Sequence, residues 1–263
     1  MKVTPKKLSS SLDASRGYKN KKDALKDLVF YTSITVALLL LTSFALSFAG
    51  LHLPDSVEKS LSFSTVYQSS DVEKKLPLQS KAVREEFSEL VKNNSRRDLN
   101  YKLEFIESDH INAFAMLGGT VVVTDKLLEN IKDPAAITFV LGHEIGHHEL
   151  RHVTKKLTSS GTLSLLKSSI FGSDSFGSLI DALSTGAMMA YSRQDELEAD
   201  TYAAELLVAK YGDLKGAEVF FMALSKEEVE DTASSSQIDF FSTHPLTTGR
   251  IKALKLKFRN SSK

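Results

Sequence analysis

Two histidines and a glutamate near the middle of the chain have the types and spacing needed to bind a metal ion and activate water. The run from Leu141 to His152 reads LGHEIGHHELRH. His143 and His147 are four residues apart, so on a helix their imidazoles point the same way and can share one metal ion. Glu144 lies beside them, where a carboxylate can hold and deprotonate a metal-bound water.

The same run contains a second, overlapping H-E-x-x-H pattern that begins at His148 and ends at His152. In the first pattern the neighbouring residues are uncharged, as a catalytic helix buried against its domain requires, and Gly146 leaves room close to the metal. In the second pattern an arginine intervenes and two lysines follow, which is typical of a solvated helix end. We therefore assign the metal to His143 and His147 and expect His148 and His152 on the outer face.

A zinc peptidase site also needs a third protein ligand and an open fourth position for water. The segment Ser192–Asp200 reads SRQDELEAD and places Glu196 and Asp200 four residues apart, on one face of a helix. One carboxylate can bind the metal while the other accepts an N–H from a ligating imidazole and orients it. The alternative is an acidic, solvated helix start that meets the helix dipole favourably. The upstream histidine pair favours the metal site.

His244 is a further candidate, in the run Ser242-Thr243-His244-Pro245. The following proline disfavours regular helix at this point, so a turn is expected. In a turn the imidazole could face the metal-bound water or a developing oxyanion, and an ordinary surface histidine is the alternative. His52 and His110 have no partners at metal-binding spacing, and we interpret them as surface residues.

The overall composition limits the class of protein. The chain has 263 residues, of which 42% are hydrophobic and 25% charged, as is ordinary for a globular protein. Lys+Arg and Asp+Glu number 33 each, so no net charge favours nucleic acid, and no nucleic-acid partner is expected. The sequence contains no cysteine, which excludes disulfides, thiolate ligands and a lipid-modified cysteine. Any metal must therefore be held by His, Asp and Glu.

The N-terminal part predicts a membrane anchor. Residues 1–27 form a basic tail with eight Lys/Arg, and residues 28–51 contain no charged side chain. As a helix this segment would span about 36 Å, enough for a hydrocarbon core of about 30 Å. The basic excess before it predicts that the N-terminus is cytoplasmic and that the rest lies across the membrane.

Three other interpretations of residues 28–51 were weighed against the anchor. A cleaved signal peptide is possible because small residues surround Ala49, but such apolar segments usually have only about 7–15 residues. A buried core helix is disfavoured because the stretch has no polar face. A mitochondrial transit peptide is disfavoured because Lys dominates over Arg and three Asp interrupt the basic tail.

The remainder predicts a mainly helical α+β domain. Residues 52–75 are polar and Ser-rich and are interpreted as a linker, and 76–263 as the domain that carries the motifs. Residues 158–190 are expected to form short helices or a flap over the site. Helices are predicted over Lys81–Lys92, Pro134–Leu157, Ser192–Tyr211 and Asp213–Glu230, and strands over Tyr101–Phe105 and Thr120–Thr124.

Four motifs together resemble the membrane-linked zinc peptidases typified by HtpX and the CAAX prenyl protease. The resemblance covers residues 76–255 in the family's order, and the HEIGH and E-x-E-A-D motifs carry most of its specificity. The motifs are Asn112-Ala113-Phe114-Ala115 with Gly118-Gly119, His143-Glu144-Ile145-Gly146-His147, Ser192-Arg193 with Glu196-x-Glu198-Ala199-Asp200, and Ser242-Thr243-His244-Pro245 with Arg250.

The resemblance implies a zincin-like metallopeptidase fold, mainly helical α+β with a small β-sheet and a glutamate as third ligand. It implies one Zn²⁺ per chain, held by His143, His147 and Glu196, with Glu144 as general base.

The resemblance also implies roles around the ligands. Asp200, Arg193 and Arg250 are expected to support and orient the metal ligands. His244 is expected to assist catalysis at the open side of the zinc. Binding of His244 to zinc in a resting, autoinhibited form is the alternative.

The chain departs from the best-known members in having one predicted span and no C-terminal helical repeats, so membrane-embedded prenyl-peptide processing is not expected. We expect a zinc-dependent endopeptidase that hydrolyses misfolded or membrane and envelope proteins for quality control. The predicted location is the bacterial inner membrane, single-pass through residues 28–51, with the catalytic domain in the periplasm. A secreted periplasmic form after signal cleavage and the mitochondrial inner membrane are alternatives.

The expected partners are polypeptides with unfolded segments, whose extended backbone could pair with a β-edge in the Asn112–Thr124 region. Two other classes of function are kept. A zinc-containing, chaperone-like binding module would hold clients with little or no turnover, and it would have no use for a general base at Glu144. A structural zinc domain would show four protein ligands and a closed site.

Overall fold

A computed structural model describes residues 21–60, 69–159, 191–230, 244 and 249–258 of the chain. The chain divides into two compact units, Met1–Ala45 and Leu46–Lys263. Most of the segment predicted as short helices or a flap, and the Ser242, Thr243 and Pro245 positions of the third motif, lie outside the described residues.

Helix α1, Lys21–Leu51, contains the predicted span. Its stretch Ala24–Thr42 is long and apolar enough to cross a membrane, by length and composition. Large apolar side chains along it are exposed, for example Leu40 at 67% and Phe44 at 69%. A core helix buries such side chains, so this exposure argues against the core-helix alternative.

Three short strands form one sheet: β1 (Lys102–Ile106), β2 (Ala113–Met116) and β3 (Thr120–Thr124). The order is β1-β3-β2, with β1 parallel and β2 antiparallel to β3. Both predicted strands are present, and β2 is an additional one. Because β3 lies in the centre, the edge available in the region predicted to pair with substrate is β2.

Several helices of the larger unit contact this sheet. Asp55–Ser60 and Ser69–Lys75 are short helices within the segment predicted as a linker, so part of that segment is folded. The helices are α2 (Asp55–Ser60), α3 (Ser69–Lys75), α4 (Pro77–Asn94), α5 (Asp125–Asn130), α6 (Pro134–Glu149), α7 (His152–Ser159), α8 (Arg193–Tyr211), α9 (Lys215–Glu230) and α10 (Gly249–Lys257).

The starts of α6 and α8 follow from their capping residues. Asp133 accepts a hydrogen bond from the backbone N–H of Ala136 at 2.9 Å, ahead of a proline at the first helical position. Ser192 and Asp195 form a reciprocal capping box at the start of α8. Gly212 ends α8 with a φ of +81°, a left-handed conformation that favours glycine. The helix predicted over Ser192–Tyr211 is confirmed, with Ser192 as its N-cap and Tyr211 as its last residue.

Helix α6 lies at the centre of the larger unit and is buried on every side from Ala136 to His148. A helix without a polar face packs between other elements. Here Phe139 contacts Phe220 and Phe221 of α9, with ring centroids 5.8 and 5.6 Å away. The histidines of α6 are therefore held by a rigid, fully packed helix.

The single helix predicted over Pro134–Leu157 is wrong, because α6 ends at Glu149 and α7 begins at His152. The break is made by Arg151, which adopts a φ of +60°. A non-glycine residue pays about 1–2 kcal/mol for this conformation. The Arg151 guanidinium donates to the backbone oxygen of Leu53 and, at 2.9 Å, to Asp55 Oδ1, and these contacts offset the cost.

Salt bridges and hydrogen bonds of Arg97 connect part of the predicted linker to the end of α6. Arg97 donates from Nε to Asp55 Oδ1 at 3.1 Å and forms an ion pair with the buried Glu58. Its Nη1 donates to the backbone oxygen of His148 at 2.6 Å. Arg97 therefore joins α2 to the last turn of α6. The division of the chain at residues 75 and 76 stays a prediction.

Candidate metal centre

The site depends on a close contact between α6 and α8. A Cβ added at Gly146 would lie 3.3 Å from Ala199 Cα, and one at Gly142 would lie 3.2 Å from Ala203 Cα. Cβ contacts this short are rare in packed proteins, so a larger residue at either glycine would force α8 to move away by a few tenths of an ångström. We expected Gly146 to leave room near the metal, and that reason is wrong, because Gly146 faces the backbone of α8 instead.

This contact brings the two histidines of α6 against Glu196 of α8. The Nε2 atoms of His143 and His147 are 3.1 Å apart. Glu196 Oε2 lies 3.5 Å from Nε2 of His143, and Oε1 lies 3.5 Å from Nε2 of His147. All three side chains are buried. The predicted ligand residues therefore converge on one point.

His244 completes the cluster. Its Nδ1 lies 3.2 Å from His143 Nε2 and 3.0 Å from Glu196 Oε1. One ligand atom from each of the four residues, including His147, lies within 4.8 Å of the others. His244 is buried and thus is not the ordinary surface residue that was one alternative.

The spacing and chemistry of these atoms fit zinc. Tetrahedral zinc with nitrogen ligands at about 2.0–2.1 Å places neighbouring ligand atoms about 3.3 Å apart. The contacts just described range from 3.0 to 3.5 Å. Three imidazoles and one carboxylate are ligands that zinc accepts readily. His143, His147, Glu196 and His244 can therefore hold one zinc ion.

Asp200 and Arg250 hold the ligands in place through hydrogen bonds and ion pairs. Arg250 donates from Nε and Nη2 to the two carboxylate oxygens of Asp200, each at 2.6 Å. Asp200 Oδ1 lies 3.0 Å from Nδ1 of His143. A proton held between these atoms leaves Nε2 of His143 with its lone pair directed at the cluster. Arg250 also lies 2.9 Å from Glu196 Oε2, so one cation orients two ligands.

His147 has a similar partner, which the sequence analysis missed. Its Nδ1 is 3.0 Å from Nδ1 of His152, and Nε2 of His152 is 3.2 Å from Glu198 Oε2. If His147 binds metal through Nε2, its Nδ1 carries the proton and donates to His152. His152 then donates from Nε2 to Glu198, so the carboxylate fixes both tautomers.

The helix break explains why His152 can reach His147. On a continuous helix, a residue five positions later would be rotated by about 140° around the axis. The left-handed Arg151 ends that rotation and returns His152 to the metal side. Hence His152 is buried instead of lying on the outer face, and that prediction is wrong. His148 is also buried, with Nε2 at 3.1 Å from the backbone oxygen of Thr120.

The charges of the cluster follow from burial and from neighbours. Burial raises the pKa of Glu144 to about 8. For Glu196, burial acts to raise the pKa, but the nearby imidazoles of His244 and His143 have the larger opposite effect. The pKa of Glu196 therefore lies well below its ordinary value. Burial and the neighbouring His143 lower the pKa of His147 well below its ordinary value. An ionised carboxylate and a neutral imidazole are the forms that bind metal.

Two further residues complete the description. The ring of Tyr191 stacks on the imidazole of His147, with centroids 3.8 Å apart and an angle of 16°. The only sequence signal for Tyr191 is its position one residue before the N-cap Ser192, where an apolar residue often packs against the helix. Arg193, expected to support the metal ligands, is exposed in the first turn of α8, before the buried part of the helix.

Two ligand histidines lie one turn apart on a buried helix, with a glutamate beside them, and a second helix supplies the third ligand. This arrangement defines a zinc metallopeptidase of the zincin-like type. The chain matches the description "Peptidase family M48" over residues 77–257. This match covers more than half of the chain, which therefore belongs to the family. The predicted resemblance, fold class and zinc cofactor are confirmed.

Relatives in this family are named as metalloproteases of mitochondria and bacteria. Mitochondrial metalloendopeptidase OMA1 of Arabidopsis thaliana is 29% identical over 59% of the chain and 31% of its own length. Metalloprotease YcaL of Escherichia coli is 30% identical over 60% of the chain and 61% of its own length. Metalloprotease LoiP of Escherichia coli is 27% identical over 82% of the chain and 86% of its own length. The chain spans about a third of the length of this OMA1 and less than two thirds of the length of YcaL.

We predict that replacing His152 by Phe weakens zinc binding about 10- to 100-fold, because His147 loses the acceptor that fixes its tautomer. Phe keeps the ring volume, so the helices should still pack. The zinc dissociation constant is measured by competition with a chelating dye. His52→Phe is the matched control, since His52 is exposed. Equal zinc affinity in a folded His152→Phe variant would contradict this positioning role.

Proposed function

We propose that the chain is a zinc-dependent endopeptidase that hydrolyses peptide bonds in misfolded or membrane and envelope proteins. The observation that carries this proposal is the position of Glu144. Its carboxylate is fully buried, and Oε1 lies 3.4 Å from Nε2 of His244, a residue of the cluster. A simple binding module or a structural zinc domain has no use for a buried carboxylate beside the metal ligands.

The residues of the chain have distinct tasks in this proposal. Zinc, when bound, would polarise the scissile carbonyl and lower the pKa of a water molecule. Glu144 accepts a proton from that water on a carboxylate oxygen and later gives it to the leaving amine nitrogen. Asp200 and His152 keep Nε2 of both ligand histidines directed at the cluster.

His244 is proposed to act as the fourth ligand of a resting form. With Nδ1 at 3.2 Å from His143 Nε2, its imidazole occupies the position that a catalytic site keeps open for water. Binding of substrate then requires His244 to leave. The resemblance implied that His244 assists catalysis directly, and the geometry favours the resting-ligand alternative.

The substrate backbone is proposed to bind along β2. This strand pairs on one side with β3 and is the edge of the sheet next to α6. Added strands bind through main-chain hydrogen bonds, which select unfolded segments more than particular side chains. All four residues of Ala113–Met116 are buried, so this edge has to become accessible in the active form.

The names of relatives agree with a role in quality control of envelope proteins. One relative, 29% identical over 56% of the chain and 32% of its own length, is the Beta-barrel assembly-enhancing protease of Escherichia coli. The assembly of β-barrels is a property of that protein. For this chain, membrane or envelope proteins that fail to fold are the proposed substrates.

We expect Glu144→Gln to lower turnover of denatured casein at least 100-fold while zinc content stays at one per chain. The amide keeps the shape of the side chain but cannot accept the proton, a contribution of about 10²–10⁴. Glu85→Gln is the control, because Glu85 is an exposed residue of α4. Fluorescent casein and metal analysis give the two readings. Retained turnover in Glu144→Gln would refute the peptidase mechanism.

His244→Ala is expected to weaken zinc binding and to increase casein turnover when zinc is supplied in excess. Removal of the imidazole leaves three protein ligands and an open position. Turnover is compared with that of the unchanged chain at saturating zinc. If the variant holds zinc yet loses turnover, His244 assists catalysis and is not a resting ligand.

We propose that residues 28–51 anchor the chain in a bacterial inner membrane, with the catalytic domain on the periplasmic side. Because the sequence has no cysteine, a single introduced cysteine reports topology without background. In spheroplasts, a membrane-impermeant maleimide should label Ser88→Cys, an exposed site on α4, and should not label Ser10→Cys. The reverse pattern would contradict this orientation, and loss of the N-terminal segment by mass spectrometry would indicate a cleaved signal.

A further inference from the structure

Tyr191 is buried beside the metal cluster, yet its hydroxyl group has no hydrogen-bond partner in the part of the chain that the structure describes. Only 5% of the residue is exposed. Buried hydroxyl groups in folded proteins are nearly always hydrogen-bonded, because an unpaired one costs free energy. An exception beside a metal site is a candidate for a catalytic role.

The ring of Tyr191 is held by stacking and not by its hydroxyl. It lies against the imidazole of His147, with centroids 3.8 Å apart. It also faces the ring of His244, at 5.7 Å and an angle of 30°. Tyr191 therefore borders both a ligand and the space that the His244 imidazole takes up. Removal of the hydroxyl would leave this packing unchanged.

We propose that the Tyr191 hydroxyl donates a hydrogen bond to the oxygen of the scissile carbonyl once His244 has left the cluster. This inference rests on the proposed peptidase function. As water oxygen bonds to the carbonyl carbon, the π electron pair moves to the carbonyl oxygen and makes it an anion. Tyr191 stabilises that charge through its hydrogen bond and keeps its own proton. When the C–N bond breaks, the pair returns to re-form the carbonyl.

The chemistry of a phenol agrees with a donor role. With an ordinary pKa of about 10, a tyrosine hydroxyl keeps its proton at neutral pH and can donate a hydrogen bond. Neither Glu144 nor Glu196 is hydrogen-bonded to it in the resting form, so the donor is available to substrate.

The test is Tyr191→Phe in the full chain, which removes only the unpaired hydroxyl. We expect kcat for denatured casein to fall about 100-fold, as for other single oxyanion donors, with KM changed less than twofold. Affinity for a phosphinic peptide, whose tetrahedral phosphorus resembles the transition state, should fall by a similar factor. Zinc affinity and Tm should not fall, because no existing hydrogen bond is broken.

Tyr211→Phe is the matched control, since Tyr211 is a partly exposed residue at the end of α8. Its kcat and phosphinic-peptide affinity should equal those of the unchanged chain. Unchanged kcat and analogue affinity in Tyr191→Phe would overturn the proposal, as would a loss of kcat that follows a loss of zinc. If the unchanged chain hydrolyses nothing, the proposed function fails, and the affinity ratio for the phosphinic peptide still decides about the hydrogen bond.

Discussion

Gly142 and Gly146 of α6 lie against Ala203 and Ala199 of α8, with so little room that an added methyl group would meet the facing backbone at 3.2–3.3 Å. The two pairs repeat one turn apart on both helices, so they fix the distance between the axes and also the rotation of each helix. The side chain of Glu196 can reach the imidazoles of α6 only because the two helices approach each other this closely. The metal cluster, the support from Asp200 and the approach of His152 to Glu198 all depend on it.

The second constraint is that several charges are buried together. Glu196 and Asp200 are almost completely desolvated, and the guanidinium of Arg250 from α10 contacts both of them. Removing one partner of such a group leaves an uncompensated charge, which costs more than the pair contributes. Arg250 Nη1 also donates to the backbone oxygen of His244 at 3.3 Å. The residue that orients two ligands therefore also contacts the backbone of the fourth, His244.

The sequence predicted those parts of the structure that local physics decides. His143 and His147 are four residues apart, and the caps of α6 and α8 also act within one turn of helix. Both features can be recognised in the sequence without knowledge of the fold. The break at Arg151 could not, because its unfavourable conformation is offset by Asp55, far away in the chain. The burial of His152 follows from that break. The stacking of Tyr191 on His147 and the contact of Gly146 with the backbone of α8 depend on how α8 crosses α6. A local sequence pattern does not determine that crossing.

Four protein ligands around one metal ion are usually the sign of a structural site, and Glu144 argues against that interpretation here. A structural site is stabilised by its ligands alone, and a carboxylate buried next to it would only add a desolvation cost. That cost is visible in the pKa of Glu144, which burial raises to about 8. The nearby hydroxyl of Tyr191 is also buried, without a hydrogen-bond partner among the described residues. The resting form therefore contains two destabilising groups that it does not use. Both groups have a use when a peptide carbonyl replaces His244, so we infer that the closed cluster is the resting form of a catalytic site.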